Sequence, residues 1–163
     1  MPTATKGSLE AFKARLLADR PADMGIAEQV ITWAINKPLA RRWSSDSEID
    51  TLTCRATIGL QDHKILALET NGLVWILFTQ LLSTFPSSDE TTKKAFHKHL
   101  VERLGKIPGG NTHPGSYKSK ASWRLSDTDL RAFLGVADWI VLEVKKAHVT
   151  AVAFHAAKRS RNQ

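Results

Sequence analysis

The chain has 163 residues, enough for one domain that buries a substantial core without disulfides or a structural metal. Lys and Arg number 23 against 16 Asp and Glu, a formal net charge of +7, so polyanions attract the protein at low salt. The single cysteine excludes an internal disulfide, the opening MPTATKGSLE lacks the apolar core of a secretion signal, and Leu73 to Leu82 is too short and mixed to span a bilayer; the expectation is a soluble cytoplasmic protein without membrane association.

Ser8 reads as an N-cap, and Leu9, Phe12 and Leu16 give the apolar face of a first helix ending at Arg20-Pro21. Gly25 to Lys37 repeats apolar residues at Ile26, Val30, Trp33 and Ala34, which predicts a second, largely buried helix closed by Pro38. Leu39 to Ser47, with Arg41-Arg42-Trp43, suggests a loop containing a brief extended piece. Ile49 to Ile58 then alternates, with Leu52, Cys54, Ala56 and Ile58 on one side and Thr51, Thr53, Arg55 and Thr57 on the other. That is a strand with one wet face, joined onward through Gly59 to His63.

Lys64 to Phe85 is the longest apolar tract, and Asn71-Gly72 divides it. A two-residue type I′ turn there predicts a hairpin pairing Leu68 with Trp75 and Leu66 with Leu77 on one face, and Ala67 with Ile76 and Ile65 with Phe78 on the other. Both faces are apolar, so this hairpin is expected in the middle of its sheet.

Ser87-x-x-Glu90 opens a helix expected to reach Leu104, capped by Gly105, with Phe96, Leu100 and Leu104 buried. Lys106 to Ser122 is rich in Gly, Pro, Ser and Lys, and no packed element is expected there. Ser126-x-x-Asp129 is a second box-like start, followed by apolar residues at helical spacing from Leu130 to about Ala147; through His148 to Lys158 the residues permit either strand or helix. The expected fold is α+β: an antiparallel sheet of three to four strands built on the central hairpin, with two N-terminal and two C-terminal helices packed on it. Residues 1–158 form the domain and 159–163 a basic tail.

No Walker loop, no dinucleotide-binding glycine pattern and no zinc spacing among the histidines and Cys54 is present, and no pattern requires a cofactor or a metal. Glu143-Val144-Lys145 carries the acid-x-lysine spacing that metal-dependent nucleases use at the end of a strand, with Asp127, Asp129 or Asp138 to serve as the partner acid. The preceding residues fit a helical stripe better than strand alternation, in which case the pair is a solvated helix edge. The other constellation is basic. From Asp89 to Arg124 eight Lys or Arg face three acids, and from Lys145 to Gln163 five bases face none. Lys93, Lys94, Lys98, Lys118, Lys120 and Arg124 would neutralise phosphates, and Tyr117 or Trp123 would stack on unpaired bases. Against this stands an ordinary solvated loop, with Trp123 in the core anchoring the next helix.

A hairpin ending LFTQLLSTFP, a helix ending RLGKIPGG, a short WRLSD segment and a helix carrying FLGVADWIVLEV together resemble small uncharacterised domains associated with restriction-like and other predicted bacterial nuclease proteins. The resemblance covers about half the chain and implies a DNA-transaction or defence context, without supplying a catalytic residue. The leading expectation is a non-catalytic nucleic-acid-binding or nuclease-associated module, with DNA favoured over RNA. The alternatives are a protein-interaction subunit, docking a partner or a second copy through an apolar sheet face, and a metal-dependent nuclease centred on Glu143 and Lys145.

Overall fold

The computed structural model describes residues 7–58, 60–76, 90–104 and 121–161. Helix α1 (Leu9–Asp19) starts where Ser8 accepts a hydrogen bond from the Ala11 N–H at 3.1 Å, and it buries Phe12 and Leu16. A single 3₁₀ turn, Pro21–Asp23, leads into α2 (Met24–Asn36), whose buried residues include Val30, Ile31, Trp33 and Ala34. Strands β1 (Ala40–Ser45), β2 (Asp50–Ile58), β3 (Gln61–Glu69), β4 (Leu73–Ile76) and β5 (Ala121–Arg124) form one antiparallel sheet in the order β1-β2-β3-β4-β5. Helix α3 (Glu90–Leu104) precedes β5, and α4 (Leu130–Arg161) follows it.

The architecture is α+β, with helices packed against one face of the sheet. Leu52, Cys54, Leu66, Leu68, Val74 and Ile76 line that face and share one core with Phe12, Leu16, Val30, Leu100, Phe133 and Ile140 from the four described helices. Each fully buried large apolar side chain among them stabilises the fold by about 1.5–3 kcal/mol. The sheet has five strands rather than three or four, because Arg41-Arg42-Trp43 is a full edge strand paired with Leu52 to Cys54, and Trp123 pairs with Val74 in β5.

The hairpin lies inside the sheet as expected, but its register differs by one residue. Leu66 pairs with Ile76, Ala67 with Trp75 and Leu68 with Val74, so Leu66, Leu68, Val74 and Ile76 share the core face. Three residues, Thr70 to Gly72, make the loop. The Gly72 N–H donates to the Glu69 carbonyl at 3.0 Å, and Gly72 has φ +82° while no other residue of the turn has positive φ. This is a type I turn closed by a left-handed glycine, not a type I′ turn, and a one-residue change of register exchanges the faces. Thr70 explains the choice: its N–H donates to the Asp50 carbonyl and its Oγ1 accepts from the Asp50 N–H, both at 3.0 Å, which holds it against β2. The predicted partners Leu77 and Phe78 lie outside the described residues.

Strand β3 begins at Gln61, inside the segment expected to be a connection. Cys54 pairs with Leu66 but Arg55 pairs with Lys64, so Ile65 is an extra residue, a β-bulge, and both it and Leu66 are buried in the core. At the other end, the predicted capping box gives way to a simpler cap: the Asp129 Oδ1 accepts from the Ala132 N–H at 3.1 Å, while Ser126 sits in a 3₁₀ turn, Leu125–Asp127. The Ser87 and Gly105 caps predicted for α3 lie outside the described residues.

Helix α4 carries straight through the segment whose conformation the sequence left open. Its 32 residues make a rod about 48 Å long. Buried positions run from Phe133 to Ala147; from Val152 to Arg161 every residue is exposed, so the last ten residues stand clear of the core as an arm. Residues 159–161, read from sequence as part of a tail, form the last turn of this helix.

Candidate nucleic-acid interface

The cations of the first half are largely engaged. Lys13 pairs with Glu28, Arg15 with Asp50, Arg20 with Asp23 and Arg55 with Asp62, while Arg41 donates to the carbonyls of Ala34 and Ile35 at the end of α2 and of Leu39 beyond it. Lys37 reaches Asp138, which also accepts from the Trp33 indole N–H at 2.8 Å, tying α2 to α4. In the second half Lys98 pairs with Glu102 at 3.8 Å and Lys146 with Glu143 at 2.8 Å. Arg103, Arg124, Arg131, Lys145, Lys158, Arg159 and Arg161 make no ion pair with a described residue, and all seven are exposed.

Six of these free cations, all but Arg124, fall into two zones. The first is an open concavity of about 1000 Å³ between α2, α3 and the start of α4, to which Arg103 and Arg131 both contribute. Gly135 lies beside Arg103: a Cβ built there would be 3.8 Å from Arg103 Nη1, an ordinary van der Waals contact. Asp129 and Asp138 also line the concavity, one capping α4 and the other held by Trp33 and Lys37. The second zone is the outer part of α4. After Glu143 the helix carries Lys145, Lys146, Lys158, Arg159 and Arg161 with no acid.

The residues proposed from sequence are distributed as follows. Lys93 and Lys94 lie on α3, but their side chains are outside the described set; Lys118, Lys120, His113 and Tyr117 are outside it altogether. Lys98 is exposed on α3, and Arg124 is exposed at the end of edge strand β5. Trp123 is part of the core: it is 9% exposed and meets Phe133 edge-on with ring centroids 5.6 Å apart, so little of its ring is open to a base. Sequence reasoning missed Arg103 and Arg131. Each sits alone among apolar or acidic neighbours in sequence, and only the packing of α3 on α4 brings them together.

Glu143 and Lys145 are two residues apart on a helix, not at the end of a strand, and the Glu143 carboxylate holds Lys146. Among the described residues no group of three or more His, Cys, Asp or Glu is placed to hold a metal ion. The apolar hairpin face is covered, with Leu66, Leu68, Val74 and Ile76 fully buried. Burial pushes the Cys54 thiol up to about 12, the Arg41 charge opposing it only in part, and burial likewise holds the His63 imidazole below its ordinary range. No described helix is long and apolar enough to cross a membrane. A scan against protein-family models and searches of curated proteins and of solved structures find no match to this chain.

Proposed function

We propose that the protein is a non-catalytic nucleic-acid-binding module that holds the phosphate backbone of DNA, with the exposed C-terminal end of α4 as its principal contact. The observation that carries this reading is the charge balance of the fold. First-half acids are matched mostly by first-half cations, so the excess positive charge of the second half stays in solvent. An exposed helix of ordinary diameter, about 10–12 Å with side chains, suits the major groove, which is about 12 Å wide. Lys158, Arg159 and Arg161 occupy different sides of the helix and would reach phosphates on both walls. Arg103 and Arg131 in the concavity, together with Lys93, Lys94, Lys98, Lys118, Lys120 and Arg124, form a second cationic group. The resemblance of the stretch from the central hairpin to Lys146 to domains associated with nuclease proteins agrees with such a role, as an accessory to a cleaving partner.

Binding of a labelled duplex, followed by anisotropy across a salt series, tests this. Affinity should fall steeply with salt, and the Lys158→Glu, Arg159→Glu, Arg161→Glu variant should flatten the log–log slope by about 0.9 for each phosphate that is no longer neutralised. Charge reversal at Lys118 and Lys120 should weaken binding to all sequences alike. Absent or salt-insensitive binding to both DNA and RNA at about 50 mM salt rejects the reading.

A further inference from the structure

Where α4 crosses the start of β1 and the far half of β2, the two layers leave a groove of about 370 Å³. That lies at the small end of the range for ligand pockets. Its walls are aliphatic: Pro38 and Leu39 from the strand entry, Ala56 from β2, and Val141 and Val144 from α4. Among the described residues no Phe, Tyr or Trp lines it, so they offer dispersion contact without a stacking platform, which favours an alkyl body over a flat ring. Arg55, Lys145 and His148 also line the groove, and these basic groups differ in what they can offer. The Arg55 guanidinium is committed to Asp62, Nε to Oδ2 at 2.6 Å. The Lys145 ammonium has no ion-pair partner among the described residues, and its neighbour Glu143 is held by Lys146.

An aliphatic pocket with one uncommitted positive charge at its edge complements a ligand with a single negative charge on an apolar chain. We infer that this groove binds a small aliphatic monocarboxylate, its chain against Leu39, Ala56, Val141 and Val144 and its carboxylate at Lys145. By volume the groove accommodates a ligand on the order of ten heavy atoms, each taking about the space of a water. The inference does not depend on nucleic-acid binding, because the groove and its walls lie apart from the terminal cations of the arm.

Calorimetric titration of the intact protein with octanoate, octanol and octylamine, each below its aggregation threshold, tests it. Octanoate should bind about tenfold more tightly than octanol, and octylamine more weakly than either. Lys145→Ala should remove the advantage of octanoate over octanol while leaving octanol binding within about twofold. Ala40→Trp and Thr57→Trp, both at exposed positions lining the groove, fill it without changing charge and should abolish binding of all three; two sites guard against one variant failing to fold. Equal affinity for octanoate and octylamine, no binding of octanoate, or unchanged octanoate binding in both folded tryptophan variants overturns the inference.

Discussion

Gly72→Ala is the sharpest single test of how the sheet is joined to the helices. Gly72 holds φ +82°, where an L-residue costs about 1–2 kcal/mol, partly offset by the lower chain entropy of alanine in the unfolded state. The added Cβ would also lie 2.6 Å from Asp23 Oδ2 and 3.0 Å from Arg20 Nε. Those two atoms are bonded to each other at 2.7 Å, and Asp23 is only 2% exposed, so its carboxylate has little room to withdraw. Breaking a fully buried pair costs about 3–5 kcal/mol; because Arg20 is about a third exposed, the lower part of that range or less applies here. The total expected loss is therefore about 2–4 kcal/mol, read from urea unfolding at constant m-value. In an Asp23→Ala background the same change should cost only the backbone part, about 1–2 kcal/mol. Gly25→Ala is the control: nothing lies within 4 Å of its added Cβ, and in helix α2 it should be neutral or stabilising by up to about 1 kcal/mol. A loss below about 0.5 kcal/mol for Gly72→Ala, or the same loss with and without Asp23, would refute the proposed clash between turn and ion pair.

Three further outcomes are expected. Asp129→Ala should destabilise by about 1 kcal/mol and Ser126→Ala by much less, because only Asp129 caps α4; equal effects in chemical denaturation would restore the capping box read from sequence. The neutral Cys54 thiol is favoured in the fold, so its contribution to stability is complete below the ordinary thiol value near 9 and is lost as pH rises toward about 12, at about 1.4 kcal/mol per pH unit. Cys54→Ala should lack that part of the slope, and superimposable stability curves for the two proteins between about pH 9 and 11 would contradict it. The same burial predicts that a thiol-specific disulfide reagent labels the native protein only through unfolding.

The helices and β2 were legible because their buried faces recur at unbroken periods. The failures cluster where a period breaks. At Ile65 the bulge buries two successive residues and breaks the alternation, so Asp62 and His63 read as part of a connection instead of the first part of β3. At the hairpin, Asn-Gly is the strongest local signal for a two-residue loop, yet Thr70, bonded twice to Asp50 twenty residues away, selects the three-residue alternative. In β1, exposed Arg41 and Arg42 hid a strand whose edge position leaves one side unpaired and most of its side chains exposed. The outer half of α4 mixes β-branched residues with alanines, and local propensity could not choose between them; hydroxyls at Thr150 and Ser160 fit the helix by bonding back to the carbonyls four residues earlier. The candidate interface was legible as charge but not as geometry, since ion pairing between elements far apart in sequence decides which cations remain free.

The continuity of α4 has a further consequence. A peptide of residues 148–161 alone would be near the length at which isolated helices are marginal in water, because the first turn must be fixed before any gain accrues. Here the core-packed turns before Ala147 have already met that nucleation cost, and the arm needs only to propagate from them. Its cations are thus held at fixed spacing before any partner arrives, and an encounter need not order the backbone. Excised from the body, the same residues should lose their helical shape and, with it, most of the affinity for DNA proposed above.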